Sequence, residues 1–425
     1  MSLRIRPFAN SLGSLQGNTR TAVLFEPLWG IPYTLYNFYL SLYMKSQGVT
    51  DEQIGFLISL GYVAGAFWAF FSGKITDALG RRKTTIIFDL IAWPGSILIY
   101  IFARSFPMFA LATLVGSAVR VVSVSWNLMV VEDADNEQQV LAYNAMNIIN
   151  ISVGILTPVA GIFVLYLGIV NAERILMGFA VVSMTLMMLG RNYYFRETRV
   201  GQQILDERRA HRGKFRPRTN SFRELTRYLK NRPQVGKALL ITVLFNVYLP
   251  IGTYTSLYFA PYLTEGLRLD KSAISLLGGV NAAVMLLVLI LLIPRIPRIN
   301  RSNWNTCMRT GIVIQAIGLV FLIISPPGRF LPALGGISII AMGFAIGKPF
   351  LDTLLANVTG GKERSGIFAL NNTVISVLCA IIGLASGYLY NIRPYLIYIF
   401  SLGLLALIFM VLLRLEPGNP PEDQP

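Results

Sequence analysis

The chain alternates between long apolar stretches and short polar connections. Stretches long enough to cross a bilayer as helices run approximately over residues 22–44, 54–72, 84–103, 107–131, 140–168 and 175–194. A second set covers residues 237–260, 272–293, 308–325, 331–357, 366–390 and 394–413. At ~20 residues per span and roughly 35 with a connection, 425 residues give about twelve spans. Helices are expected because backbone polar groups in lipid must be satisfied within each segment. The pattern predicts an all-α membrane protein of twelve transmembrane helices in two six-helix bundles, residues 1–195 and 237–425. Residues 196–236 form a cytoplasmic basic linker between them.

Composition removes the soluble alternative: hydrophobic residues make up 54% of the chain and charged residues 14%, with mean hydropathy +0.57, where a soluble domain carries about a quarter charged. A net charge of +16 then needs a location. The loops on one side hold only Lys45, Arg104, Arg174, Arg268, Lys271, Arg329 and Arg393. Arg120 and Lys348 lie deep inside spans, and the rest of the 37 basic residues, those at span ends included, are assigned to the other side. This bias places both termini in the cytoplasm of a multi-pass protein of the cell membrane. Arg208, Arg209, Arg212, Lys214, Arg216 and Arg218 in the linker would alone suggest a nucleic-acid patch. Between two hydrophobic halves they act as an orientation signal that attracts anionic headgroups, and nucleic acid drops out as a partner. Ser221 and Glu224 form a capping-box pattern, with Phe222, Leu225 and Leu229 on one face against Arg223, Arg227 and Lys230, which predicts an interfacial helix.

Arg4 and Arg6 precede a polar stretch and a first span without a small-residue cleavage site, so that span is expected to be an uncleaved anchor. Cys307 and Cys379 offer neither a disulfide framework nor a CxxC site, and the single histidine, His211, lies in the basic linker. No metal or other cofactor is expected.

The halves repeat one another. Glu137 to Gly161 lies over Glu363 to Gly387 at a constant offset, with Asn147 over Thr373 and Asn150 over Ser376. Tyr39, Tyr43 and Asp51 lie over Tyr258, Tyr262 and Asp270 at a second offset. Two six-span repeats are the architecture of many secondary transporters.

Between the second and third spans the sequence reads Gly73-Lys74-Ile75-Thr76-Asp77-Ala78-Leu79-Gly80-Arg81-Arg82-Lys83. This resembles the loop signature of the major facilitator superfamily: glycine, three residues, aspartate, two residues, glycine and a basic run. Lys74 and Ala78 depart from it, and Pro294 to Arg301 is a worn second copy. The resemblance implies two bundles that rock about a central site. It also implies a gating contact from Gly73, Asp77, Gly80, Arg81 and Arg82 to the amino terminus of the eleventh span near Ser365 and Gly366. Gly73 would permit close helix approach, Gly80 a tight reversal, and Asp77 would pair with Arg81. In the fifth span Gly154, Thr157, Pro158 and Gly161 partly match the family's antiporter signature. Small-residue packing with one kink is the competing reading.

Ionisable groups inside spans need a partner or a wet cavity, at a cost of ~2.5 kcal/mol or more at the helix centre. Glu26 is a candidate proton-coupling group, with a salt bridge to Arg20 as the alternative. Arg120 and Lys348 suggest a central anion site, although Lys348 and Asp352, four residues apart, can simply pair. Asp89 is expected to join the charge cluster of the motif. Tyr33, Asn37, Asn147, Asn150 and Tyr254 are candidate solute contacts, while Tyr43 and Tyr262 are expected in interfacial belts. The loop containing Glu132, Asp133, Asp135 and Glu137 is expected to pair with Arg81, Arg82 or nearby bases, with a divalent-metal site as the alternative.

The expected function is secondary active transport of a small organic solute, an anion among the candidates, by alternating access with protons as the coupling ion. The protein is expected to be a monomer without catalytic residues. An exporter of amphipathic drugs or lipids stays open, as does a multispan membrane enzyme or sensor. The repeat and the loop signature favour transport, since membrane catalysis requires neither.

Overall fold

The computed structural model describes residues 13–211, 229, 231–292, 301–359 and 364–415. The expected interfacial helix over 221–230 and the worn loop copy over 294–301 lie almost wholly outside these residues. The described chain is helical, in the order α1 (Gly17–Asn37), α2 (Leu40–Ser46), α3 (Asp51–Leu79), α4 (Arg81–Leu90), α5 (Ser96–Phe102), α6 (Phe106–Gly116), α7 (Val119–Val131), α8 (Asn136–Val153), α9 (Thr157–Tyr194) and α10 (Arg199–His211). It continues as α11 (Pro233–Gly252), α12 (Ile274–Leu287), α13 (Arg301–Ile324), α14 (Phe330–Val358), α15 (Arg364–Ile392) and α16 (Leu396–Leu413).

Ten helices among the described residues are long and apolar enough to cross a membrane. One of them, Glu137–Tyr194, has 58 residues. At 1.5 Å per residue it would be about 87 Å long, nearly three times the hydrocarbon thickness of ~30 Å. It breaks at Gly168, whose φ of 70° and ψ of 165° are not helical, so it supplies two crossings. Adding the first span, α1 with α2, the pattern agrees with the twelve expected. The third span contains a π-helical segment, Ile91–Gly95, built around Pro94.

The chain divides into two compact units, one of Met1–Val49 with Leu60–Arg216 and the other of Thr50–Ser59 with Pro217–Pro425. The start of α3 therefore groups with the second unit. A Cβ on Gly55 would lie 2.6 Å from the Gly383 carbonyl oxygen and 2.9 Å from Gly387 Cα, so only glycine allows α3 to lie this close to α15. The Tyr258 hydroxyl donates to the Asp51 carbonyl at 3.0 Å. In the same unit, α13 and α14 pack backbone to backbone: a Cβ on Gly311 would lie 2.6 Å from Gly347 Cα, and one on Gly343 would lie 2.6 Å from the Gln315 nitrogen.

Both the first and the seventh span are interrupted, the first at Phe38 and Tyr39 and the seventh over residues 253–258. These breaks coincide under the repeat offset that pairs Tyr39 with Tyr258. Tyr43 and Tyr262, four residues further on, are not belt residues; they are 0% and 2% exposed. The Tyr43 hydroxyl lies 3.0 Å from the Tyr100 carbonyl and 3.3 Å from that of Ile101, at the end of the third span. The Tyr262 hydroxyl donates to the Leu322 carbonyl at 3.3 Å, near the end of the ninth. A helix end leaves carbonyls without intrahelical donors, and each repeat supplies one from the equivalent tyrosine.

Removing either hydroxyl takes one donor from these carbonyls, that of Tyr100 keeping the Ala103 nitrogen at 3.2 Å, at about 1 kcal/mol. Tyr43→Phe and Tyr262→Phe should each lower the unfolding temperature of the purified protein in detergent, with the two losses adding in the double variant. Unchanged melting in both would contradict the capping role.

Candidate functional site

The loop signature is built inside the first unit. Gly80, with φ of 86°, ends α3 and starts α4. Arg81, buried, donates from Nη1 to Asp77 at 2.9 Å, and from Nε and Nη2 to Glu132 at 3.2 Å each. The expected pairing of the acidic loop with Arg81 is therefore made. The other carboxylates there have separate tasks: Asp135 caps α8 by accepting from the Gln138 nitrogen at 2.8 Å, and Asp133 accepts from the Arg199 nitrogen at 3.2 Å. A Cβ on Gly73 would meet nothing within 4 Å, so the close approach expected there is not made among the described residues.

Glu197, not singled out from the sequence, completes this cluster. Its two carboxylate oxygens accept from the backbone nitrogens of Arg81 at 2.9 Å and Arg82 at 3.1 Å, the unpaired donors at the start of α4. Thr198 hydrogen bonds to Glu132 and accepts from the Gly201 nitrogen at 3.0 Å. Arg82 donates to the Asn192 carbonyl at 2.7 Å and 3.1 Å. The second, third, fourth and sixth spans are thus tied at one end by charge-assisted hydrogen bonds. A Cβ on Gly80 would sit 2.6 Å from a Glu197 oxygen and one on Gly201 would sit 2.2 Å from the other, so both glycines are required by the same carboxylate. The sequence signal was local: Thr198, an N-cap residue, opens α10 with Glu197 just before it.

Deeper in the unit, Asp89 forms a buried ion pair with Arg191, which lies 5.5 Å above the Phe195 ring. Asp89 therefore does not join the motif cluster as expected. Arg191, which the sequence count assigned to the cytoplasmic side with the other basic residues, is buried in the sixth span. Glu26, 8% exposed, accepts from the Asn150 side-chain amide at 2.9 Å and makes no ion pair among the described residues, so the alternative bridge to Arg20 is not formed. Gly30 leaves room for that amide, since a Cβ there would lie 3.1 Å from Asn150 Oδ1.

Glu26, Gly30, Tyr33 and Asn37 follow helical spacing along one face of α1. Tyr33 stacks on Trp29 at 4.8 Å and meets Trp93 edge-on at 5.7 Å. Trp93 comes from the π-helical segment, a departure common at functional positions. The sequence reading chose Tyr33 but missed Trp29 and Trp93. Arg120 is exposed and lies against Gly65, where a Cβ would stand 3.2 Å from its Nε. It has no polar partner among the described residues. Asn147 is exposed on α8, and among the described residues Glu26 bonds to Asn150 rather than to Asn147 or Arg120. In the second unit Lys348 and Asp352 pair with each other. Tyr254 is half-buried in the non-helical break of the seventh span.

Glu197→Ala should remove two charge-assisted caps and lower stability by ~1–2 kcal/mol. Glu197→Gln, which keeps one acceptor, should fall between. Thermal unfolding in detergent checks this order, and equal melting of all three proteins would contradict it.

Comparison with known proteins places this geometry. The profile of the Major Facilitator Superfamily matches residues 29–347. No curated protein matches the sequence significantly. Among solved structures, the nucleoside transporter NupG is 13% identical with a TM-score of 0.68, covering 94% of this chain and 99% of its own. A D-xylose–proton symporter is 14% identical with a TM-score of 0.68, covering 93% and 96%. A bacterial homologue of the iron transporter ferroportin, in its inward-facing state, is 14% identical with a TM-score of 0.68, covering 94% and 98%. At these identities the likeness shows the fold. The matched profile, the spans and the loop cluster lead to one conclusion: the chain belongs to the major facilitator superfamily, a membrane transporter family.

Proposed function

We propose that this chain is a secondary active transporter that moves a small organic solute, an organic anion in our reading, by alternating access of its two units, and that protons drive it. The observation that carries the proposal is Glu26. It is a buried carboxyl in the first span, held by one neutral amide and in no ion pair among the described residues. A carboxyl so placed changes protonation when its surroundings alternate between wet and dry, which proton coupling requires. The D-xylose–proton symporter of the same fold supports that reading. Arg120 supports an anionic solute, since an unpaired guanidinium within a span attracts carboxylate or phosphate groups bidentately. The Trp29, Tyr33 and Trp93 cluster supports an aromatic or amphipathic solute, so export of amphipathic compounds is the second reading. The basic bias supports cytoplasmic termini in the cell membrane.

Uptake and efflux in proteoliposomes, with and without a pH gradient and over organic anions, sugars and cationic drugs, test the proposal. An accepted solute should accumulate only with the gradient. Glu26→Gln should abolish gradient-driven accumulation while leaving solute exchange. Arg120→Gln should raise KM about tenfold or more, the equivalent of 1.4 kcal/mol. A flux that ignores the gradient and survives both substitutions overturns the coupling and the binding assignments. A preference for cationic drugs selects the second reading.

A further inference from the structure

One face of α13 is committed to α14 by the glycine contacts. Another meets α16 along a groove of about 470 Å³. Buried Ile312 and Leu405 form its floor, and Val313, Ile317, Val320 and Phe409 line its sides. Val313, Ile317 and Val320 are 39%, 46% and 44% exposed, so the groove opens outward from its own unit. The groove-lining positions on α13 recur at helical spacing from 312 to 320, and one turn earlier the same stripe reaches Arg309.

Arg309 lies one helical turn beyond that end of the groove. Its Nη2 crosses to α16 and donates to the Leu412 carbonyl at 2.8 Å, while its Nε is buried without a hydrogen-bond partner. Lys237 donates to the Arg414 carbonyl at 2.6 Å, and the Arg414 side chain is exposed beside it. Three cations thus gather at the carboxyl end of α16. A helix end attracts positive charge, but the orphaned Nε is a buried donor that the carbonyls leave unused.

An apolar channel that ends in cations and an unspent guanidinium donor has the charge and polarity pattern of a phospholipid. We propose that the groove between α13 and α16 binds an acidic phospholipid, with one acyl chain along Ile312 and Leu405 and the phosphate accepting from Arg309. A second copy of the chain is the poorer occupant. A two-fold interface through this groove places the same patch on both copies, bringing like charges together. The site is independent of the transport reading.

The purified full chain, delipidated in detergent, is titrated with phosphatidylglycerol and phosphatidylcholine of identical acyl chains, and bound lipid is read by native mass spectrometry. At roughly fivefold per basic residue, phosphatidylglycerol should bind at least tenfold more tightly. Arg309→Gln should remove most of that preference and Arg309→Lys should retain part of it. Lys237→Gln with Arg414→Gln should reduce it without touching the groove. Ala316→Phe, which fills the groove and keeps the cations, should weaken both lipids. Arg393→Gln, at the opposite end of α16, should change nothing. Equal binding of the two lipids, an undiminished preference in the Arg309 and Lys237/Arg414 variants, or unaltered binding in Ala316→Phe overturns the proposal. So does a dimer that excludes lipid from the groove.

Discussion

A helix end leaves carbonyls without intrahelical donors, and where that end is packed against other helices the protein itself must supply them. This constraint explains the equivalent features of the two repeats. The first and seventh spans break near Tyr39 and Tyr258, and one turn later Tyr43 and Tyr262 carry hydroxyls to the ends of the third and ninth spans. An interrupted helix and a buried tyrosine form one device, used twice. The breaks interrupt the first and seventh spans, which carry Glu26 and Tyr254, without leaving the neighbouring helix ends bare.

The same constraint sorts the charges. Asp89 and Arg191 neutralise each other, Lys348 pairs with Asp352, and Arg81 is held by Asp77 and Glu132. Removing one partner from the buried Asp89–Arg191 or Arg81–Glu132 pair leaves an uncompensated charge, so these two are read as architecture, while Lys348 and Asp352 pair on an exposed helix face. Glu26 and Arg120 stand apart. Glu26 has an amide where the others have an ion, and Arg120 has no polar partner among the described residues. We therefore assign these two to the proposed solute and its coupling proton, whereas Lys348, placed with them from the sequence, already has a counterion.

The spans, the loop signature and the repeat were legible because each is written in short-range pattern: apolar length, glycine spacing, constant offset. The pairing of the acidic loop with Arg81 was legible as a local reversal of charge. What was missed depends on partners far along the chain. Glu197 caps α4 from 116 residues away, and Arg191 reaches Asp89 across 102. Arg191 also ends an apolar run, where a snorkelling surface residue and a buried ion-pair partner look alike. Tyr43 and Tyr262 were misread for a similar reason, since a tyrosine near a span end fits both a belt and a cap. Trp93 was missed because its presentation depends on a π-helical segment that hydropathy does not reveal.

The central claim is that the Glu26 carboxyl takes up and releases a proton while held by Asn150. Infrared difference spectroscopy of the protein in lipid, recorded between acid and alkaline pH, observes that event directly. The account predicts a carboxyl C=O band that is lost in Glu26→Gln and displaced in Asn150→Ala, where the hydrogen bond is gone. A difference spectrum indistinguishable from wild type in Glu26→Gln would contradict it.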